Sequence, residues 1–112
     1  TRLTAAVDIG RIVNIELARQ QIEGGLVFGL SLAVGASTGY RDGLPTNQRL
    51  GALALPRLQD CPEVVVEFIA SEAEPFDPGE LGVTVAAPAI ANALYSATGL
   101  RFRRLPLISE GL

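Results

Sequence analysis

Residues 19–35 read RQQIEGGLVFGLSLAVG, a helical pattern interrupted by glycines at positions 24, 25 and 29. The apolar positions Ala18, Ile22, Leu26, Gly29, Leu30 and Ala33 recur at helical spacing. Asn14 stands where an N-cap belongs, and Glu16 lies in the first turn, where the helix dipole favours an anion. The spacing predicts a helix from about residue 15 to about residue 33. Each interior glycine costs about 0.8–1 kcal/mol relative to alanine, so the three together cost roughly 3 kcal/mol. That is a large share of the stability of a small domain. Something brought very close to the helix has to offset it. Close packing against a sheet or a neighbouring element is one account, and the spacing alone favours it. Close approach of a ligand, with Gln20, Gln21 and Glu23 on the adjacent turn, is the other.

Around this helix the pattern alternates. Residues 2–10 read as a strand ending in a turn at Asp8 to Gly10, and Asp42-Gly43 is a hairpin signal. Residues 46–62 are irregular or partly helical. EVVVEFIA, residues 63–70, is the clearest strand, and its run from Val64 to Val66 predicts burial on both faces. A second helix is expected from about 85 to 98, with Thr84 as cap, Pro88 in the first turn and Gly99 as the stop. LRFRRLPL, residues 100–107, reads as a short edge strand. The order β-α-β-β-α-β predicts an α+β fold, a small mixed sheet with two helices packed on it.

Composition removes whole classes of chemistry. Among 112 residues there is no histidine and no lysine, so a histidine triad, a histidine-ligated metal, a P-loop and a Schiff base are all excluded. No metal ligands are assigned in this chain. A net charge of -3 without a basic stripe argues against nucleic acid. The single cysteine, Cys61, makes no internal disulfide and no four-cysteine cluster. The most apolar run, GLVFGLSLAVGA, is too short and too glycine-rich to span a bilayer, so no transmembrane segment is expected. No signal peptide begins at Thr1. The missing initiator methionine implies a processed chain or a piece of a larger one, and the compartment, cytoplasmic or periplasmic, stays open. Mean hydropathy of +0.33 is high for a small domain and implies an apolar face to be covered, by a parent chain or by a homo-oligomer.

Residues 75–82, PFDPGELG, set one carboxylate, Glu80, between Gly79 and Gly82. Flanking glycines remove side chains that would block approach to the carboxylate and permit unusual backbone angles. A general base needs that access. The plain alternative is an acid at a helix start. Glu72, Glu74 and Asp77 form an acidic run nearby that reads as solvated. Arg101, Arg103 and Arg104 suggest either a phosphate site or, more simply, a charge-protected strand edge. Tyr40 and Tyr95 carry no spacing signal.

VDIGRIVNIELARQQIEGGLVFGLS, followed by PGELGVTVAAPAIANALYSATGLRFRRLPL, resembles the C-terminal part of the molybdopterin-binding large subunit of the xanthine dehydrogenase and aldehyde oxidase family. It is most similar to the isoquinoline 1-oxidoreductase beta subunit and related aldehyde dehydrogenases. The resemblance covers nearly the whole chain and rests on the order of several motifs. It implies that residues 1–112 are a single domain, a fragment of the molybdenum cofactor-binding domain. The implied enzyme is a hydroxylase that inserts water-derived oxygen into aldehydes or N-heterocycles.

The implied cofactor is a molybdenum-pterin dinucleotide, molybdopterin cytosine dinucleotide, bound in the full enzyme and absent from this fragment. Gln21 matches the family glutamine before Glu-Gly-Gly, close to the pterin. Glu80 matches the catalytic base that takes a proton from Mo–OH, and Gly79, with Gly82, matches its flanking glycines. The implied partners are the remainder of the large subunit and a [2Fe-2S] small subunit or domain, since one cysteine holds no cluster. The fragment alone is expected to be inactive. The sequence departs from the family at Leu81, where proline is usual, and at Asp77-Pro78, which replace a glycine and an aliphatic residue. The alternative reading is a non-catalytic α+β domain whose apolar face mediates assembly.

Overall fold

The structure is a computed structural model and describes residues 2–107. Strand β1 (Arg2–Val7) leads into helix α1 (Ile15–Val34). A short hairpin follows, β2 (Tyr40–Arg41) and β3 (Leu44–Pro45), then two single-turn 3-10 segments, strand β4 (Glu63–Phe68) and helix α2 (Leu81–Thr98). β1 and β4 pair in parallel, with Arg2 opposite Glu63 and Val7 opposite Phe68. Parallel pairing requires a crossover, and α1 with the segment after it provides one. The hairpin turns at Asp42 and Gly43, both at positive φ as a two-residue turn of this hand demands.

α1 begins as expected. The Asn14 side chain accepts from the Leu17 N–H at 3.0 Å, and Ala18, Ile22, Gly25, Leu26, Gly29 and Ala33 are buried. Ile22 and Leu26 meet Val66 of the sheet and Ala86 of α2 to form the core, with Leu3, Ala5, Val7, Val64 and Phe68 packed around it. The α+β class, two helices on a small sheet, is the one anticipated. β4 buries one face only: Val66 is buried, whereas Glu63 and Glu67 on the opposite face are exposed.

The helix glycines resolve into two kinds. A Cβ on Gly29 would stand 2.7 Å from both the Ala86 Cβ and the Val83 carbonyl oxygen, and one on Gly25 would meet the Gly82 Cα at 3.3 Å. These two glycines let the backbones of α1 and α2 approach. Nothing lies within 4 Å of a Cβ built on Gly24. Gly24→Ala therefore stabilises the protein by about 0.4–1 kcal/mol, because alanine keeps the helical backbone and loses less chain entropy on folding. A rise in the urea midpoint without a change in slope checks this.

Two boundaries differ from expectation. α2 starts at Leu81, not near residue 85, and Pro88 sits inside it. The first turn is anchored earlier because Gly82 docks on α1; Thr84 donates its hydroxyl to the Leu81 carbonyl instead of capping. No strand forms over residues 100–107. Gly99 ends α2 in the left-handed region at φ 75°, and Arg101 turns back onto α2, donating to Asn92 Oδ1 at 3.0 Å. Its guanidinium lies 3.4 Å from the Tyr95 ring centroid, so the segment leaves the direction an edge strand requires. α2 is also long and apolar enough, by length and composition, to cross a membrane, which the run at residues 25–36 is not. Its Gly82 and Ala86 face is packed on α1, and most of its remaining surface is exposed.

The described chain is not compact. Its radius of gyration is 16.2 Å, against about 13 Å for a globular domain of this length. Val13, Leu50, Leu58, Tyr40 and Phe76 are exposed, in keeping with the high hydropathy.

Candidate functional site

The loop from β4 to α2 is tied down on the connection between β1 and α1. Arg11 N donates to the Ala73 carbonyl and Phe76 N to the Ile9 carbonyl, each at 2.9 Å. Gly10 makes this possible. It holds φ +69°, and a Cβ there would collide with the Ala73 and Glu74 carbonyls. Asp8 Oδ1 accepts from Gly10 N at 2.9 Å and fixes the turn. Further along, Asp77 Oδ1 accepts from Gly79 N at 2.9 Å and shapes the approach to α2.

These ties create a crevice of about 500 Å³ between the start of α1 and the loop. Arg11, Asn14 and Gln21 line one wall; Phe76, Asp77 and Gly79 line the other. Gln21 and Gly79, 58 positions apart in the sequence, thus share one cleft. Glu80 lines an adjoining hollow of about 550 Å³ that shares Phe76, Asp77 and Gly79 with the crevice.

Glu80 is exposed and occupies the N-cap position of α2, but its side chain makes no capping bond. Its backbone carbonyl accepts from Val83 N at 3.1 Å, so the helix start rests on main chain and leaves the carboxylate uncommitted to capping. The flanking glycines serve a different purpose from the one expected. Neither Gly79 nor Gly82 has positive φ. Gly82 is small because a Cβ there would lie 2.6 Å from the Ile22 carbonyl oxygen and from Leu26 N. It serves helix contact and not access to Glu80. A Cβ on Gly79 would meet Asp77 Oδ1 at 3.2 Å, so Gly79 keeps that carboxylate close to the loop backbone.

The crevice offers amides, one cation in Arg11 and one anion in Asp77 within a lining that is otherwise mostly apolar. The Gln21 amide both donates and accepts, the Asn14 NH₂ is left to donate once its oxygen caps α1, and Arg11 supplies a cation. Sequence reasoning singled out Gln21 but missed Arg11 and Phe76, which enter only through the loop's hydrogen bonds to residues 9 and 11. The remaining candidates stay apart. Glu72 and Glu74 are exposed. Arg101 lies beyond the far end of the 18-residue α2, about 27 Å along the axis from its start.

The framework is a parallel strand pair backed by a glycine-lined helix pair, with a crevice at one end. Residues 1–62 match the molybdopterin cofactor-binding domain, and the chain belongs to that family. It is 38% identical over 106 residues, 95% of its length, to the "membrane-bound aldehyde dehydrogenase [pyrroloquinoline-quinone]" of Gluconacetobacter polyoxogenes, of which it covers 14%. Identity to the isoquinoline 1-oxidoreductase subunit beta of Brevundimonas diminuta is 28% over 107 residues, covering 96% of this chain and 14% of that one. The fold is that of the Cu,Mo-containing CO dehydrogenase, with a TM-score of 0.81 at 20% identity over 95% of this chain and 14% of the other. The chain therefore spans about a seventh of the length of these relatives, and it is a fragment-sized portion of a molybdenum-binding subunit.

Proposed function

We propose that residues 1–112 are the C-terminal part of the large subunit of a molybdenum hydroxylase, acting on aldehydes or N-heterocycles. Gln21 and Gly79 hold the pterin side of the cofactor, and Glu80 is the general base. The observation that supports this reading most is the shared cleft of Gln21 and Gly79, with an uncapped carboxylate on the next residue. When bound, a molybdenum-pterin dinucleotide, in its cytosine form, supplies two-electron oxidation with water-derived oxygen.

The chain's own residues divide the remaining work. Gln21 hydrogen-bonds a heterocycle edge through its amide and fixes its orientation. Arg11 offers a cation to phosphate. Glu80 takes a proton on its carboxylate oxygen during the reaction and releases it afterwards. Asp77 holds the Gly79 backbone and so sets where Glu80 begins. The crevice is open along one side, and one cysteine holds no iron–sulfur cluster, so catalysis requires the rest of the subunit and a [2Fe-2S] partner. The isolated chain is inactive on this reading.

The test separates retention from chemistry. In the complete enzyme, Gln21→Ala lowers molybdenum and pterin content several-fold while each molybdenum that remains turns over at a rate close to that of the parent. Metal analysis with pterin quantitation checks it. Full molybdenum occupancy in Gln21→Ala refutes the binding role. Finding quinone in place of molybdenum in the purified enzyme refutes the cofactor assignment, an arm made necessary by the name of the Gluconacetobacter relative.

A further inference from the structure

The two edges of the parallel pair are unlike each other. The Ile69 N–H donates to the Val7 carbonyl at 2.8 Å. In a parallel ladder this turns the backbone groups of Leu3, Ala5 and Val7 toward β4 and those of Thr4 and Ala6 outward. By the same alternation the Val66 carbonyl points away from β1, and there the Arg19 guanidinium donates to it while lying 5.4 Å from the Phe68 ring. The β4 edge is thus capped at one carbonyl by an arginine of α1. The β1 edge has no strand beside it among the described residues. It also carries no charge or proline over residues 3–7, the usual guards of a free edge.

That unguarded edge opens onto an apolar groove of about 440 Å³, floored by Ile22 and Leu26 and walled on the far side by Leu81, Val85 and Ala89 of α2. A row of outward main-chain donors and acceptors matches the main chain of a further strand, and an apolar floor matches apolar side chains on alternate residues of it. An extended strand supplies both. Parallel sheets are also found almost only with both faces covered. The relatives carry far more chain than this fold, which covers 14% of two of them. A second copy fits poorly, because its own α2 flanks its own β1 and would enter the groove the first copy needs filled.

We propose that a β-strand from the remainder of the parent subunit adds to the free edge of β1 and fills the groove between β1 and α2. This rests on the reading of the chain as part of a larger subunit, but not on the role of Glu80 or on the cofactor. Two measurements on the complete purified enzyme test it. Hydrogen exchange of the Thr4 and Ala6 amides is expected to match that of Ala5 and Val7 within about tenfold. A benzoylphenylalanine placed at Ala89 is expected to photo-crosslink to a segment of the same polypeptide outside residues 1–112. Exchange at Thr4 and Ala6 at least about 10²-fold faster than at their neighbours overturns the proposal. So does a crosslink only to a second copy or another subunit, or none at all. Either reading survives loss of turnover, so failure of the catalytic assignment leaves this result interpretable.

Discussion

Glu80→Gln in the complete enzyme keeps the fold and the molybdenum content and lowers turnover by at least about 10²-fold, the usual scale of a lost general base. The substitution is close to isosteric. Glu80 is exposed and its side chain caps nothing, while its carbonyl receives the Val83 N–H and holds the first turn of α2. The only structural loss is the attraction between a carboxylate and the helix N-terminus, about 0.3–1 kcal/mol at an exposed site. An amide cannot accept the proton, so the effect falls on kcat and not on cofactor retention. Steady-state assays on an aldehyde and an N-heterocycle, normalised to molybdenum, decide the matter. A variant with full molybdenum and parental turnover reduces Glu80 to an acid at a helix start.

Gly82→Val separates α2 from α1 and costs at least about 3 kcal/mol, the upper range for overpacking a rigid contact. Even a single Cβ at this position would lie 2.6 Å from the Ile22 carbonyl oxygen and Leu26 N and 2.9 Å from the Gly25 carbonyl carbon. All three are backbone atoms of a helix and cannot rotate aside. A loss of this size takes a large share of a small domain's stability, so the variant is expected to accumulate unfolded or protease-sensitive protein. Urea unfolding of the complete enzyme, alongside Gly24→Ala as the substitution of opposite sign, measures it. A Gly82→Val midpoint within experimental error of the parent means that the two helices do not meet at this point.

α1 was legible in the sequence almost to the residue, because a cap at Asn14 and a sustained apolar period are local signals. β1, β4 and the Asp42-Gly43 turn were legible for the same reason. Glycines inside α1 pointed correctly to a close neighbour at 25 and 29 but also at 24, since residue type alone does not separate the packed face from a position about 100° further round the helix. The start of α2 was missed because its anchor, Gly82 on α1, is a tertiary contact, and that contact also outweighs the interior Pro88. Residues 100–107 alternate as a strand should, yet stacking of Arg101 on Tyr95 diverts them. Of the candidate site, Gln21, Gly79 and Glu80 came from resemblance; that Gln21 and Gly79 share a cleft depends on the bonds from residues 9 and 11 to the loop, which no local pattern announces.

The contact between Gly25 and Gly82 fixes a spacing by main chain alone. Gln21 lies one turn before Gly25 on α1, and Glu80 lies two residues before Gly82 on α2. A gap set by side chains widens and narrows with every rotamer change and shifts with each substitution. A gap set by backbone against backbone has neither freedom, so the main chain at Gln21 and the main chain at Glu80 are held at one spacing within a narrow mechanical tolerance. Side chains elsewhere in the fold are then free to change without disturbing that gauge.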